Sequence, residues 1–429
     1  MDTVRLIHFA DLHLGVEAGG RPNRATGLNQ RVHDVCDRLD ELCSVAEDEG
    51  VHVVLFCGDT FKHQHPTPTL QRLFAQRMRR LARAGIRVFL LIGNHDLPKM
   101  AALAHPLEIY EALEVEGVVI GDRARLYAIA LADGVELQVG ALPHFSRSQV
   151  LSKMDDTDDR DATIEHAISQ AVRRLADEVD PAQPAVFCGH CHVNQAVVST
   201  SQAMFGLSDI EVPLSTLAST GAFAYYALGH IHHRQVLSTE PFVAYSGSLE
   251  RIDFSEGEVA VVGANAAVER RQREAKGFYR FDLVQRGDRW TLDGAPAFRE
   301  VSARPFITLR IEMDATGDPT AEVIGRIEAA RSAGCTFESA FVKVAVTLDA
   351  SDRGRLRHRD IRDAVAEAYD CRVAVTAADD AVAVRDPRFA ERMGEEEALE
   401  RYLETRQDWA PDREELSRLG RALIREVLA

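Results

Sequence analysis

The sequence predicts an α/β protein of layered architecture, followed by a smaller second unit and a helical tail. Three observations lead there. Apolar runs of strand length at 4–10, 51–57 and 88–92 alternate with stretches of helical spacing at 32–49 and 67–84. The same alternation returns after Ser302, in a stretch long enough for a small domain. The apolar runs also stop abruptly, each on Gly, Asp, Asn or His, and polar groups at strand ends are where α/β sheets keep their chemistry.

Taken in order, 4–10 reads as a buried strand closed by Asp11-Leu12-His13-Leu14-Gly15. A polar loop over 16–31 follows. The segment 32–49 places Val35, Leu39, Leu42, Val45 and Ala46 at helix spacing, and 51–57 is a second buried strand ending in Gly58-Asp59. After the helix at 67–84, the strand at 88–92 runs into Gly93-Asn94-His95-Asp96. Residues 101–113 read as helical, 118–140 as short strands with turns, and 163–178 as a helix. Strands at 185–188 and 225–228 end in Gly189-His190 and Gly229-His230-Ile231-His232. Short strands follow at 243–248, 259–262 and 278–284.

The second unit reads as strand 306–311, helix 320–331, strand 341–348, helix 361–369 and strand 372–376. The resulting domain boundaries are 1–302, 303–380 and 381–429. From Pro387 the tail is charge-dense, with one apolar stripe at Leu399, Tyr402 and Leu403 and another at Leu416, Leu419, Leu423 and Val427. There is no internal repeat.

Composition narrows the classes. The net charge of −17 excludes a generally cationic nucleic-acid coat. A polyanionic substrate stays possible, because bound dications add local positive charge that formal counting omits. The basic clusters Arg77, Arg79, Arg80, Arg83 and Arg270, Arg271, Arg273, Lys276 read equally as solvated faces or as contacts. No apolar run approaches the ~20 residues needed to span a bilayer. Seven scattered cysteines fit a reducing compartment, so a cytoplasmic location is expected. Cys188-Gly189-His190-Cys191 has redox spacing, yet it follows Ala-Val-Phe rather than opening a helix. Both cysteines therefore read as strand-end residues flanking His190.

The strand-end polar residues are Asp11, His13, Asp59, Asn94, His95, His190, His230 and His232. Asp11 and His13, two apart on extended backbone, point to the same side and can reach one ion. Imidazole with carboxylate suits Mn, Fe or Zn better than Ca or Mg. Seven ligands exceed what one ion takes, but match two ions sharing a carboxylate. One buried His is usually a satisfied core residue; five at strand ends, after Gly or beside Asp, are not.

The series Asp11-x-His13, Gly58-Asp59, Gly93-Asn94-His95-Asp96, Gly189-His190 and Gly229-His230-x-His232 resembles the calcineurin-like metallophosphoesterases. The resemblance implies a four-layer α/β/β/α sandwich, with a small α+β cap over 303–380. It assigns Asp11, His13, Asp59 and His232 to one ion, and Asp59, Asn94, His190 and His230 to the other. His95 is then a general acid or transition-state stabiliser, and Asp96 either its orienter or the cap of the next helix. The run Tyr245-Ser-Gly-Ser-Leu-Glu-Arg-Ile-Asp-Phe-Ser-Glu256, followed by Lys276-Gly277-Phe278, is similar to the SbcD-type DNA-repair exonucleases. That branch implies a Mn²⁺-dependent DNA exonuclease/endonuclease, homodimeric and nucleoid-associated. It also implies an SbcC-like SMC-type ATPase as partner, gripped by the tail. The alternative is a phosphatase or phosphodiesterase for a protein or small molecule. Two departures stand out: Lys62 occupies a position where some relatives carry His, with His63 and His65 nearby, and the loop 16–31 has no counterpart.

Overall fold

The structure, a computed structural model, describes residues 1–98, 103–145, 160–198, 210–263, 266–271, 274–313, 317–377 and 413–428, with 202, 399, 400 and 403. Four parallel strands, Thr3–Phe9, Val53–Cys57, Arg87–Leu91 and Val118–Gly121, form one side of the first sheet. Gly277–Arg286 pairs antiparallel with Thr3–Phe9, and in turn with Arg289–Leu292 and Ala297–Glu300. The parallel strands are mostly apolar because both faces are covered, and Val53–Cys57 is buried at every position. Ile7, Val54 and Val88 lie side by side and pack against helices Gln30–Asp48 and Pro68–Arg83 through Val35, Leu39, Phe74 and Met78. Leu6, Val53, Leu55 and Phe89 face the second sheet.

The helix starts follow from local chemistry. Asn29 caps the first helix by accepting from the Arg31 amide at 2.9 Å. Thr67 caps the second, with Pro68 at its first turn, where no amide is needed. The helix expected over 101–113 is only Glu108–Ala112 among the described residues. Pro106 disfavours helical backbone at His105 and so delays the start.

The second sheet runs Gln235–Thr239, Phe242–Tyr245, Tyr225–Gly229, Ala185–His190, Glu136–Leu142 and Leu126–Ala130. Its inner residues Val139, Val186 and Ala227 meet the first sheet. Its outer face carries helix Arg160–Asp177 through Ile164, Ile168, Val172 and Leu175, one helical stripe. Helices, sheet, sheet and helices thus stack as four layers.

A third sheet has the order Val268–Arg271, Glu258–Val262, Phe306–Glu312, Phe341–Leu348 and Asp370–Ala377, backed by helices Pro319–Ser332 and His358–Asp363. Two of its strands come from before the boundary expected at 302. The chain enters this unit after Glu256, returns to the first sheet at Gly277, and enters again at Phe306. Its last four strands pair in parallel, the last two joins running through helices Pro319–Ser332 and His358–Asp363, so this part of the unit is α/β rather than the expected α+β. The loop 16–31 docks against it: Gly19 (φ +83) lies where a Cβ would come within 3.1 Å of the Phe341 ring, and Arg21 pairs with Asp370.

Arg77 and Arg80 pair with Asp40 and Glu47 across the two helices, and Arg270 with Glu258. At those positions the basic clusters are solvated or structural. In the tail, helix Arg413–Leu428 is contacted by Glu400, which pairs with Arg421 at 2.7 Å. Leu403 is buried and Leu419 exposed; Tyr402 and the side chains of Leu423 and Val427 lie outside the described residues. No helix among the described residues is long and apolar enough to cross a membrane.

Candidate metal centre

The carboxyl ends of the inner strands of both sheets open on one edge, which brings segments far apart in sequence face to face. Asp11 and His13 follow Thr3–Phe9, Asp59 follows Val53–Cys57, and Asn94 with His95 follow Arg87–Leu91. From the second sheet, His190 ends Ala185–His190, while His230 and His232 follow Tyr225–Gly229. Asp11, His13, Asp59 and His230 have φ of 53°, 45°, 61° and 96°, a left-handed backbone that non-glycine residues rarely adopt. Such conformations persist where surrounding structure over-determines them. Here the amides of Asp11, His13 and Leu14 each donate, at 3.0 Å, to the carbonyls of Gly58, Asp59 and Thr60. The glycines before the ligands have a steric reason. A Cβ on Gly58 would lie 2.2 Å from His190 Nδ1, and one on Gly93 2.2 Å from Asp59 Oδ1.

The side chains converge in two groups that meet at Asp59. His13 Nε2 and His232 Nε2 are 2.9 Å apart, and Asp59 Oδ2 is 3.5 Å from His13 Nε2. Asp11 belongs to the same group, its ligand atom within 4.8 Å of those of His13 and His232. On the other side, His190 Nε2 and His230 Nδ1 approach Asn94 Oδ1 at 2.9 and 3.1 Å, and Asp59 Oδ1 lies 3.5 Å from His190 Nε2. This donor set of imidazole nitrogens, carboxylates and one amide oxygen fits two divalent transition-metal ions. Asp11, His13, Asp59 and His232 could hold one, and Asp59, Asn94, His190 and His230 the other.

Electrostatics prepare the ligands. Burial pushes the His13 ring well below its usual range and His190 down to about 3, so both present neutral nitrogens. His190 Nδ1 donates to the Cys57 carbonyl at 2.7 Å, which leaves Nε2 with its lone pair toward the site. Burial opposes the charge on Asp59, but His190, His13 and His95 hold its carboxyl below the usual range. Asp11 is pushed up to about 7 by burial, against the pull of His232 and His230. Bound dications would reverse that last shift.

Two expected roles change. Among the described residues Asp96 neither orients His95 nor caps a helix. Its buried carboxylate accepts from the amides of Asp59 (3.0 Å), Thr60 (3.0 Å) and Gly93 (3.1 Å), and so locks the turn that presents Asp59. The His95 ring is oriented instead by the Lys62 carbonyl, which accepts from Nδ1 at 2.9 Å. That leaves His95 Nε2 facing Asp59 Oδ2 at 4.0 Å, on a side chain 34% exposed against 2% for Asp59. The His95 side chain is more open than those of His13, His190 and His232, while Asn94 and His230 are half-buried as it is. His63 and His65 are exposed on the same loop.

The cysteines stand apart from this chemistry. Cys188 packs between the sheets beside Ala141 and Ala227, whereas Cys191 packs in the outer core with the helices. Both thiols are free, and burial pushes Cys191 up to about 12. Replacing both by Ser is expected to leave metal content unchanged in elemental analysis. Melting should show a loss of about 1–3 kcal/mol per buried hydroxyl. Loss of metal would make one of them a ligand.

Sequence reasoning missed four supporting residues. The His144 ring stacks on His230 at 6.0 Å between centroids. Gln202 donates to the His230 carbonyl at 2.7 Å and accepts from the His232 amide at 3.1 Å. Glu256 and Lys276 meet His232 from behind. The last two lie in runs already singled out by their resemblance; His144 and Gln202 carry no local signal.

Residues 4–234 match the family described as calcineurin-like phosphoesterase. The chain is 27% identical over 258 residues to the SbcD component of the SbcCD nuclease of Bacillus subtilis, covering 59% of this chain and 63% of that one. It is 23% identical over 244 residues to the DNA double-strand break repair protein Mre11 of Thermoplasma acidophilum, covering 57% and 56%. The chain therefore spans less than two thirds of the length of these relatives. The family match takes in more than half of the chain and every strand end that carries a candidate ligand, and the protein belongs to the calcineurin-like phosphoesterases.

Proposed function

We propose that this phosphoesterase is a Mn²⁺-dependent DNA exonuclease/endonuclease acting at DNA ends. We further propose that it works as a homodimer with an SbcC-like coiled-coil ATPase, docked through residues 381–429. The observation that carries the hydrolytic part is Asp59, placed between two imidazole groups with the half-buried His95 beside it. The nucleic-acid part is supported by the relatives named as a nuclease and a DNA double-strand break repair protein.

Two dications bound there supply charge for the phosphoryl oxygens and acidity for a nucleophilic water. The chain's own residues do the rest. Asp59 would serve both positions, and the Asp96 carboxylate, accepting from the Asp59 and Thr60 amides, keeps Asp59 in place. His95, held through Nδ1, can carry a proton on Nε2 to the leaving-group oxygen.

The test is incubation of purified protein with end-labelled duplex and single-stranded DNA, with Mn²⁺ or Mg²⁺, alongside p-nitrophenyl phosphate. Manganese-dependent shortening of DNA is the expected result. Hydrolysis of the monoester with DNA left intact would transfer the site to the phosphatase class.

A further inference from the structure

The ligand His232 is held from behind by a charged assembly that no step above uses. Its Nδ1 donates to Glu256 Oε1 at 2.9 Å. The other carboxylate oxygen accepts from the Ser248 hydroxyl and the Ile252 amide, both at 3.1 Å, and from the Lys276 ammonium at 2.9 Å. Lys276 also donates to the His232 carbonyl at 2.9 Å, so it grips the ligand residue at its backbone while Glu256 grips the ring. The Ser248 amide reaches the same carbonyl at 3.1 Å. Gly247 (φ +72) allows this approach, since a Cβ there would lie 2.7 Å from the His232 oxygen. Both Glu256 and Lys276 side chains are essentially inaccessible, at 1% and 0% exposure.

The location of the pair is as telling as its bonds. Glu256 ends the short helix Phe254–Glu256, and the third sheet begins two residues later at Glu258–Val262. Lys276 is the last residue before the chain rejoins the first sheet at Gly277–Arg286. The first two of the three crossings between the phosphoesterase body and the five-stranded unit thus meet behind His232. The outgoing crossing is seated on that unit. The Phe254 ring meets the Phe306 ring edge-on at 5.0 Å, and a Cβ on Gly257 would lie 2.5 Å from the Phe306 carbonyl. On the returning crossing, Glu274 bonds His233 Nδ1 at 2.9 Å and lies 3.7 Å from Lys276.

We propose that Glu256 and Lys276 are positioning residues for His232, and that through them the seating of the five-stranded unit sets the affinity of one metal position but not the other. This rests on the dinuclear reading above. The second position, on Asn94, His190 and His230, has its own support from the Cys57 carbonyl behind His190, while Gln202 touches both sides, donating to the His230 carbonyl and accepting from the His232 amide. Groups behind a metal-ligating imidazole typically contribute 10–100-fold to affinity.

The test uses the full chain and Mn²⁺ alone, read by calorimetry and electron paramagnetic resonance. In Glu256→Gln/Lys276→Met both charges go together, so no lone buried charge remains to unfold the protein. One ion should bind as in wild type and the other roughly 10–100-fold more weakly. The spin-coupled signal of a manganese pair should give way to that of an isolated ion. Phe254→Leu, which touches no ligand, should weaken the same ion to a smaller extent at an unchanged melting temperature. Wild-type affinities for both ions in the double variant, or equal weakening of both, would overturn the positioning role. An unaffected Phe254→Leu protein would overturn the link to the five-stranded unit. Wild-type protein that binds one ion or none would instead remove the dinuclear reading itself.

Discussion

Asp59→Asn should yield a folded protein that holds neither metal ion and hydrolyses phosphoesters at background. Asp59 faces both ligand groups, with one oxygen 3.5 Å from His13 Nε2 and the other 3.5 Å from His190 Nε2. Removing its charge withdraws an anionic ligand from two positions at once, whereas losing His190 or His232 withdraws a neutral one from a single position. Metal activation contributes several kcal/mol to such reactions. At 1.36 kcal/mol per tenfold, the rate should fall by about 10³ or more. Asn is the better replacement because it tolerates the backbone at φ 61° and can still accept the His95 amide, 2.9 Å from Oδ1. Asp59→Ala should also lose both ions, with backbone strain added. Elemental analysis after Mn²⁺ loading decides: close to two ions per chain in wild type and none in the variant. Two ions retained by Asp59→Asn would mean that the carboxylate does not bridge.

His95→Ala separates chemistry from binding. The ring is more open than those of His13, His190 and His232, and its Nδ1 is already engaged by the Lys62 carbonyl, so on this reading its removal takes away a proton donor and no ligand. The turnover rate with DNA should fall by about 10²–10⁴, the usual contribution of a general acid, while two Mn²⁺ stay bound. The diagnostic comparison is bis(p-nitrophenyl) phosphate, whose leaving group needs little protonation. The loss there should be much smaller than on DNA. Equal losses on both substrates would make His95 a transition-state contact rather than a proton donor, and unchanged turnover would leave it without a catalytic part.

Asp96 shows how far a local motif reaches. Adjacent to His95 in sequence, it reads as that residue's partner. In the fold its carboxylate turns back to the amides of residues 59–61 and 93, and the partner of His95 comes from 33 residues away. A side chain next to a catalytic group on a tight turn points wherever unpaired amides are, and sequence adjacency does not say where that is. The division of the chain behaves alike. The strand at 259–262 is legible as a strand, but which sheet it joins is a non-local pairing. It sides with Phe306–Glu312 rather than with its sequence neighbours in the body.

By itself, the sequence determined the layered α/β class and singled out the Asp, Asn and His residues that the fold gathers at the candidate metal centre. Strands covered on both faces run mostly apolar, so the polar residues that end them stand out, and the glycines before them mark close backbone approach. Only the tertiary structure decided what stands behind those residues. Glu256 and Lys276 lie 24 and 44 residues from His232, at separations set by the crossing into the five-stranded unit and back rather than by any helical or strand period. A ligand is constrained by its own strand, and so leaves a local trace. Its support needs only a donor or acceptor at hydrogen-bond distance, which any segment can deliver once the sheets have packed.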